Sequence, residues 1–175
     1  MEKVVKDLEK VIKNLNGKLI CIGLNEKYLI EQIRKNENIF YCDLLNSNIF
    51  SKNKSKSKGK KEKTLTIKEF KKYYKKKKIN YTICNIKDIY KFYPKFIPDS
   101  VRINNSFIYI YGDKDDNFEK LEKKYKRYNV NTEMIIYEKQ FLLKIDLQNK
   151  KINFFKEKFY FLVDNIQRTI DIISD

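Results

Sequence analysis

Gly23 and Asp43 are the residues of this chain whose types and spacing point most directly to chemistry. Gly23 ends the apolar run Leu-Ile-Cys-Ile-Gly, and Asp43 ends the run Ile-Phe-Tyr-Cys-Asp. Glycine at the end of a strand lets backbone approach a ligand. An acidic side chain about 20 residues further on, at the end of the next strand, is spaced to accept hydrogen bonds from ribose hydroxyls. Leu24 and Asn25 complete the first turn, in which Gly23 is the only glycine.

Histidine is absent. Ser-His-Asp and Cys-His nucleophilic sites and histidine-based zinc sites are therefore excluded, which leaves acid-base work to Asp, Glu, Lys, Tyr or Cys. Cys21, Cys42 and Cys84 fall near the ends of three apolar runs but lack CxxC spacing. They are read as small buried hydrophobes, with no metal site expected. An odd number of cysteines argues against a disulfide framework and for a reducing, cytoplasmic setting. No residue stands out as a catalytic group.

A second chemical signal is basic. From 51 to 63 the chain has no apolar residue, which predicts a flexible loop containing Lys58, Lys60 and Lys61. A helix over 68–78 follows, with Lys71, Lys72 and Lys75, Lys76, Lys77 and Lys78 around Tyr73 and Tyr74. Lysines interleaved with tyrosines can track a phosphate backbone and stack on bases. The net charge of +16 agrees with an RNA or DNA partner, although the scarcity of Gly and Pro and the excess of Lys, Asn, Ile and Tyr also fit drift toward AT-rich codons.

The elements that would position these residues follow from periodicity. At 175 residues and 42% hydrophobic, the chain is expected to form a single domain over 1–175. Val4, Leu8, Val11, Ile12 and Leu15 predict a lead helix, stopped at Asn16-Gly17. Strands are expected at 19–23, 39–42, 64–67, 81–86 and 107–111. The predicted helices include one from Asn25, its N-cap, to Asn36, and one from Asn117 to Tyr128. Pro94 and Pro98 predict a helix broken near Tyr93 and a short turn after it. Extended runs at 134–137, 141–147 and 152–161 follow, with a hairpin turn at 148–151, and Leu162, Ile166, Ile170 and Ile173 predict a closing helix. No stretch is long and apolar enough to span a bilayer.

This order, a lead helix, alternating strands and helices, then an antiparallel hairpin, resembles the class I S-adenosylmethionine-dependent methyltransferases. The resemblance implies an α/β, Rossmann-like, mostly parallel central sheet with flanking helices and a C-terminal antiparallel hairpin. It also implies S-adenosylmethionine as cofactor, held by the turn Gly23, Leu24 and Asn25, by Asp43 on the ribose, and by Asn85 and Ile86 at the end of the fourth strand. The chain lacks the family's acidic residue in the first strand, and no Asn-Pro-Pro-Tyr follows Cys84. Two functions are consistent with these residues: a methyltransferase-like protein binding or modifying nucleic acid, RNA first, or a catalytically inactive interaction module, with a protein partner, on the same fold.

Overall fold

The computed structural model describes residues 3–24, 26–36, 39–43, 62–64, 79–86, 96–114, 118–149, 159, 160, 162, 163 and 166. In chain order the elements are α1 (Lys3–Lys13), β1 (Gly17–Ile22), α2 (Lys27–Lys35), β2 (Ile39–Asp43), β3 (Glu62–Thr64), β4 (Ile79–Asn85), α3 (Phe96–Ile103), β5 (Asn104–Asp113), α4 (Phe118–Lys126), β6 (Asn131–Ile136) and β7 (Gln140–Asp146). The strands form one 7-stranded sheet in the order β3-β2-β1-β4-β5-β7-β6. All pairs from β3 to β5 are parallel, and β7 runs antiparallel to both β5 and β6. The Rossmann-like α/β sheet with a C-terminal antiparallel hairpin is thus the architecture found.

Alternation along the strands divides the core into two layers. Leu19, Cys21, Ile83, Tyr109, Tyr111 and Leu142 face Val4, Leu8 and Ile12 of α1 and Leu29 and Ile33 of α2. Ile20, Ile22, Cys84, Ile108, Ile110 and Phe141 point the other way, toward Ile97 and Val101 of α3 and Leu121 and Tyr125 of α4. Because the central strands have helices on both faces, β1 reads as the unbroken apolar run Leu19 to Ile22. Asn36 ties the first layer together: it caps α2, and its Nδ2 donates to Ile12 O at 2.8 Å and Leu15 O at 3.3 Å.

A buried polar chain anchors the second layer. Thr82 Oγ1 donates to Asn104 Oδ1 at 2.8 Å, and Asn104 Nδ2 donates to Ser100 O at 2.8 Å. Ser100 Oγ also lies 3.0 Å from Tyr125 Oη. With all four residues at 0% exposure, these bonds offset the cost of placing polar groups in the core.

Several boundaries differ from expectation. Glu26 is the N-cap of α2, and Asn25 lies outside the described residues. Glu62 and Lys63 belong to β3, paired with Tyr41 and Cys42, instead of closing the basic loop. After Pro94, the chain forms a two-turn helix, α3, with Pro98 in its first turn, where a missing N–H costs nothing. Gly112 and Asp113 continue β5 opposite Phe141 and Gln140 instead of turning. The hairpin is made by β6 and β7, and Phe159 and Tyr160 are helical where the sequence predicts an extended run, with Tyr160 edge-on against Tyr128 at 5.7 Å. Leu162 and Ile166 are helical as expected, while Ile170 and Ile173 lie outside the described residues.

Candidate functional site

Successive parallel strands are laid down outward from β1 to β3 on one side and from β4 to β5 on the other. The order therefore reverses between β1 and β4, and in open α/β sheets it is outside the carboxyl edge at such a reversal that a ligand crevice forms. Sequence position and register bring the end of β1, the start of α2 and the ends of β4 and β5 to this edge. Cys21 lies opposite Asp43 on β2 and Ile22 opposite Cys84 on β4. Ile86 N donates to Tyr111 O at 2.8 Å, fastening the end of β4 to β5.

The first turn is built for close backbone approach. Gly23 has φ +66°, a conformation that a side chain disfavours. Leu24, which replaces a second glycine, is 0% exposed and belongs to the core beneath α1 and α2. Its side chain is thus turned into the protein and does not fill the crevice.

Three side chains from separate elements meet at this edge. Tyr111 Oη donates to Glu26 Oε2 at 2.5 Å, across 85 positions of the chain. Asn85 is the register partner of Tyr111 on the neighbouring strand β4. Burial is the main reason the phenol resists ionisation, reinforced by the charge of Glu26 and by the bond to it, while Asn85 acts in the opposite sense. Tyr111 is thus a neutral donor under ordinary conditions. Glu26 forms no side-chain cap bond and gives its carboxylate to the phenol instead.

Of the residues anticipated from sequence, Gly23, Leu24, Asn85 and Ile86 are brought to one edge. Asp43 ends β2 at the same edge, with only its backbone described. Lys58, Lys60, Lys61, Lys71, Lys72, Tyr73, Tyr74, Lys75, Lys76, Lys77 and Lys78 lie outside the described residues, as does Asn25. Cys21 and Cys84 occupy adjacent strands but opposite core layers, both buried, so their thiols share no site. Among the described residues, no group of His, Cys, Asp and Glu could hold a metal ion, and no helix is long and apolar enough to cross a membrane.

Glu26 and Tyr111 were missed by sequence reasoning. Periodicity places Glu26 inside a helix and Tyr111 in a strand, and joins neither to the other. The available signal was a tyrosine near the carboxyl end of a central strand, a large apolar body with a polar tip that needs a partner.

The sequence matches no protein-family model, and no curated protein is significantly similar to it. Solved structures are similar in shape. Precorrin-6y C5,15-methyltransferase from Geobacter metallireducens superposes with a TM-score of 0.63 at 10% identity, over 83% of this chain and 88% of that one. TrmK of M. capricolum, in complex with S-adenosyl-homocysteine, gives 0.55 at 17% identity, over 100% of this chain and 88% of that one. The 16S rRNA N2 methyltransferase RsmC of T. thermophilus, in complex with AdoMet and guanosine, gives 0.56 at 10% identity, over 87% of this chain and 40% of that one. At such identities the likeness is one of architecture: this chain has the class I S-adenosylmethionine-dependent methyltransferase fold.

Proposed function

We propose that this chain binds S-adenosylmethionine at the β1/β4 crevice and binds or methylates nucleic acid, with RNA as the first candidate. The observation that carries the proposal is the convergence of Gly23, Glu26, Asn85 and Tyr111 at the point where the strand order reverses. The groups present suit the ligand. A glycine turn and the first amides of α2 offer backbone donors, Glu26 offers an anionic acceptor, and Asn85 a neutral amide. Leu24 leaves the turn clear by packing inward.

Bound cofactor would supply an electrophilic methyl group. The chain's own contribution is positioning: Gly23 and Leu24 admit the cofactor to the backbone, and Asp43 takes the ribose hydroxyls. Asn85 and Ile86 border the place where a substrate nucleophile must stand. Tyr111 holds Glu26 by its hydrogen bond and, being buried and neutral, leaks no proton into the site.

Nucleic acid is favoured by where the basic segments attach. The chain leaves β2 at Asp43 and β3 at Thr64, both at the carboxyl edge, into the lysine-rich stretches 51–61 and 65–78. Several similar folds belong to methyltransferases, and RsmC is named as one acting on 16S rRNA.

The proposal is tested by incubating the protein and structured RNA with methyl-labelled S-adenosylmethionine. Label appearing in RNA supports methylation. Binding of both ligands without transfer supports the interaction module instead, and RNA affinity that does not weaken with salt removes the nucleic-acid reading.

A further inference from the structure

We propose that the edge strand β6 is a self-association surface, on which a second copy of this chain adds its own β6 antiparallel and joins the two sheets across a two-fold axis. β6 ends the strand order, and among the described residues no strand pairs with its outer side. The opposite edge, β3, is only 3 residues long, the brevity with which natural sheets blunt an edge. β6 has 6 residues and no proline, and its register with β7 runs unbroken from Asn131↔Asp146 to Ile136↔Phe141. Ile135 and Ile136 are 36% and 56% exposed, one on each face of the sheet, where a guarded edge would carry charge.

Hydrogen-bond alternation decides which backbone groups face outward. Tyr137 N donates to Gln140 O at 2.8 Å, so Tyr137, and with it Ile135 and Glu133, turns its N–H and C=O toward β7. Thr132, Met134 and Ile136 therefore turn theirs to the open side. A two-fold axis at Met134 pairs these three with Ile136, Met134 and Thr132 of the second copy, so each outward group of the strand meets a partner. The same axis sets Glu133 against Ile135 and Asn131 against Tyr137, and no like charges stand directly opposite. Both ends of the strand are already braced: Thr132 Oγ1 donates to Glu122 at 2.9 Å, and Tyr137 Oη donates to Asp7 at 2.8 Å. Little ordering cost is left for association.

Charge argues for a second copy as the occupant. The chain carries +16, yet the charged groups in β6 and at its braces are paired: Glu133 with Lys144 at 3.2 Å, Glu122 with Lys126 at 2.8 Å and Asp7 with Lys10 at 2.9 Å. An apolar strand without net charge suits a strand of its own kind better than a phosphate backbone or an acidic peptide. One strand from each copy falls at the lower end of interface sizes, below about 1,200 Å², so the dimer is a weak one.

Sedimentation velocity of the nuclease-treated chain, from micromolar to millimolar concentration, tests the proposal. A monomer–dimer equilibrium is expected, and Ile136→Lys, a change at an exposed side chain, should weaken it about tenfold or more. Raising salt should strengthen the dimer by screening two chains of +16, whereas an assembly bridged by nucleic acid weakens. Amide exchange supplies a second readout: the N–H groups of Thr132, Met134 and Ile136 should become protected as concentration rises, while those of Glu133 and Ile135 are protected throughout. A chain that stays monomeric at millimolar concentration leaves the edge to a different strand or to none and overturns the proposal. So does a dimer that I136K leaves intact, that salt dissolves, or that forms without protecting the three outward amides.

Discussion

Tyr111, near the end of β5, reaches past β4 to donate a 2.5 Å hydrogen bond to Glu26 at the start of α2. The bond links the helix that follows the glycine turn to the strand on the far side of the crevice. Removing it with Tyr111→Phe keeps the ring packing and should cost about 1.5 kcal/mol, the lower end for a charged acceptor because Glu26 is partly exposed. A lower urea midpoint with an unchanged m-value is the expected readout. A midpoint equal to wild type would mean that the bond contributes nothing.

The tyrosines give an alkaline signature. Burial pushes Tyr109 up to about 12, and Tyr111 and Tyr137 also lie above the ordinary phenol value of 10. A raised folded value stabilises below the unfolded one and loses that contribution as pH rises past it, because the unfolded chain then ionises more readily. Stability should therefore hold on the alkaline side up to about pH 10 and fall above it. Tyrosinate absorbance should show these phenols ionising only with unfolding. Ionisation of all 13 tyrosines near pH 10 with the fold intact would contradict this.

The turn glycines should differ in tolerance. Gly23→Ala incurs the left-handed backbone penalty, about 1 to 2 kcal/mol. Gly17 has φ +129°, and an added Cβ would stand 2.6 Å from Asn80 Oδ1, the atom that accepts Lys18 N at 3.0 Å. Gly17→Ala should therefore be the more destabilising change, and thermal melting of the two variants compares them.

The buried chain from Thr82 to Tyr125 predicts that shape alone will not substitute for chemistry. Thr82→Val preserves volume but deprives Asn104 Oδ1 of its 2.8 Å donor. Loss of about 1 to 3 kcal/mol by chemical denaturation is expected. Stability equal to wild type would show that the network is replaceable.

The architecture was legible because it rests on local periodicity. The apolar run at 19–23 and the stripe Val4, Leu8 and Ile12 each declare their element without distant help. The strand-end positions of Gly23, Asn85 and Asp43 were legible because the end of an apolar run places them. Glu26 and Tyr111 were not, since their relation spans 85 positions and depends on sheet order, which periodicity does not encode. The hairpin was misplaced for a related reason: 134–137, 141–147 and 152–161 carry similar aromatic and aliphatic residues, and periodicity does not say that β7 pairs with β5 and β6.

The most direct test of the account is calorimetric titration of the wild-type chain with S-adenosylmethionine and S-adenosyl-homocysteine at low ionic strength. The account predicts a saturable isotherm below millimolar cofactor and a matching rise in melting temperature. No heat and no thermal shift at millimolar cofactor would contradict it.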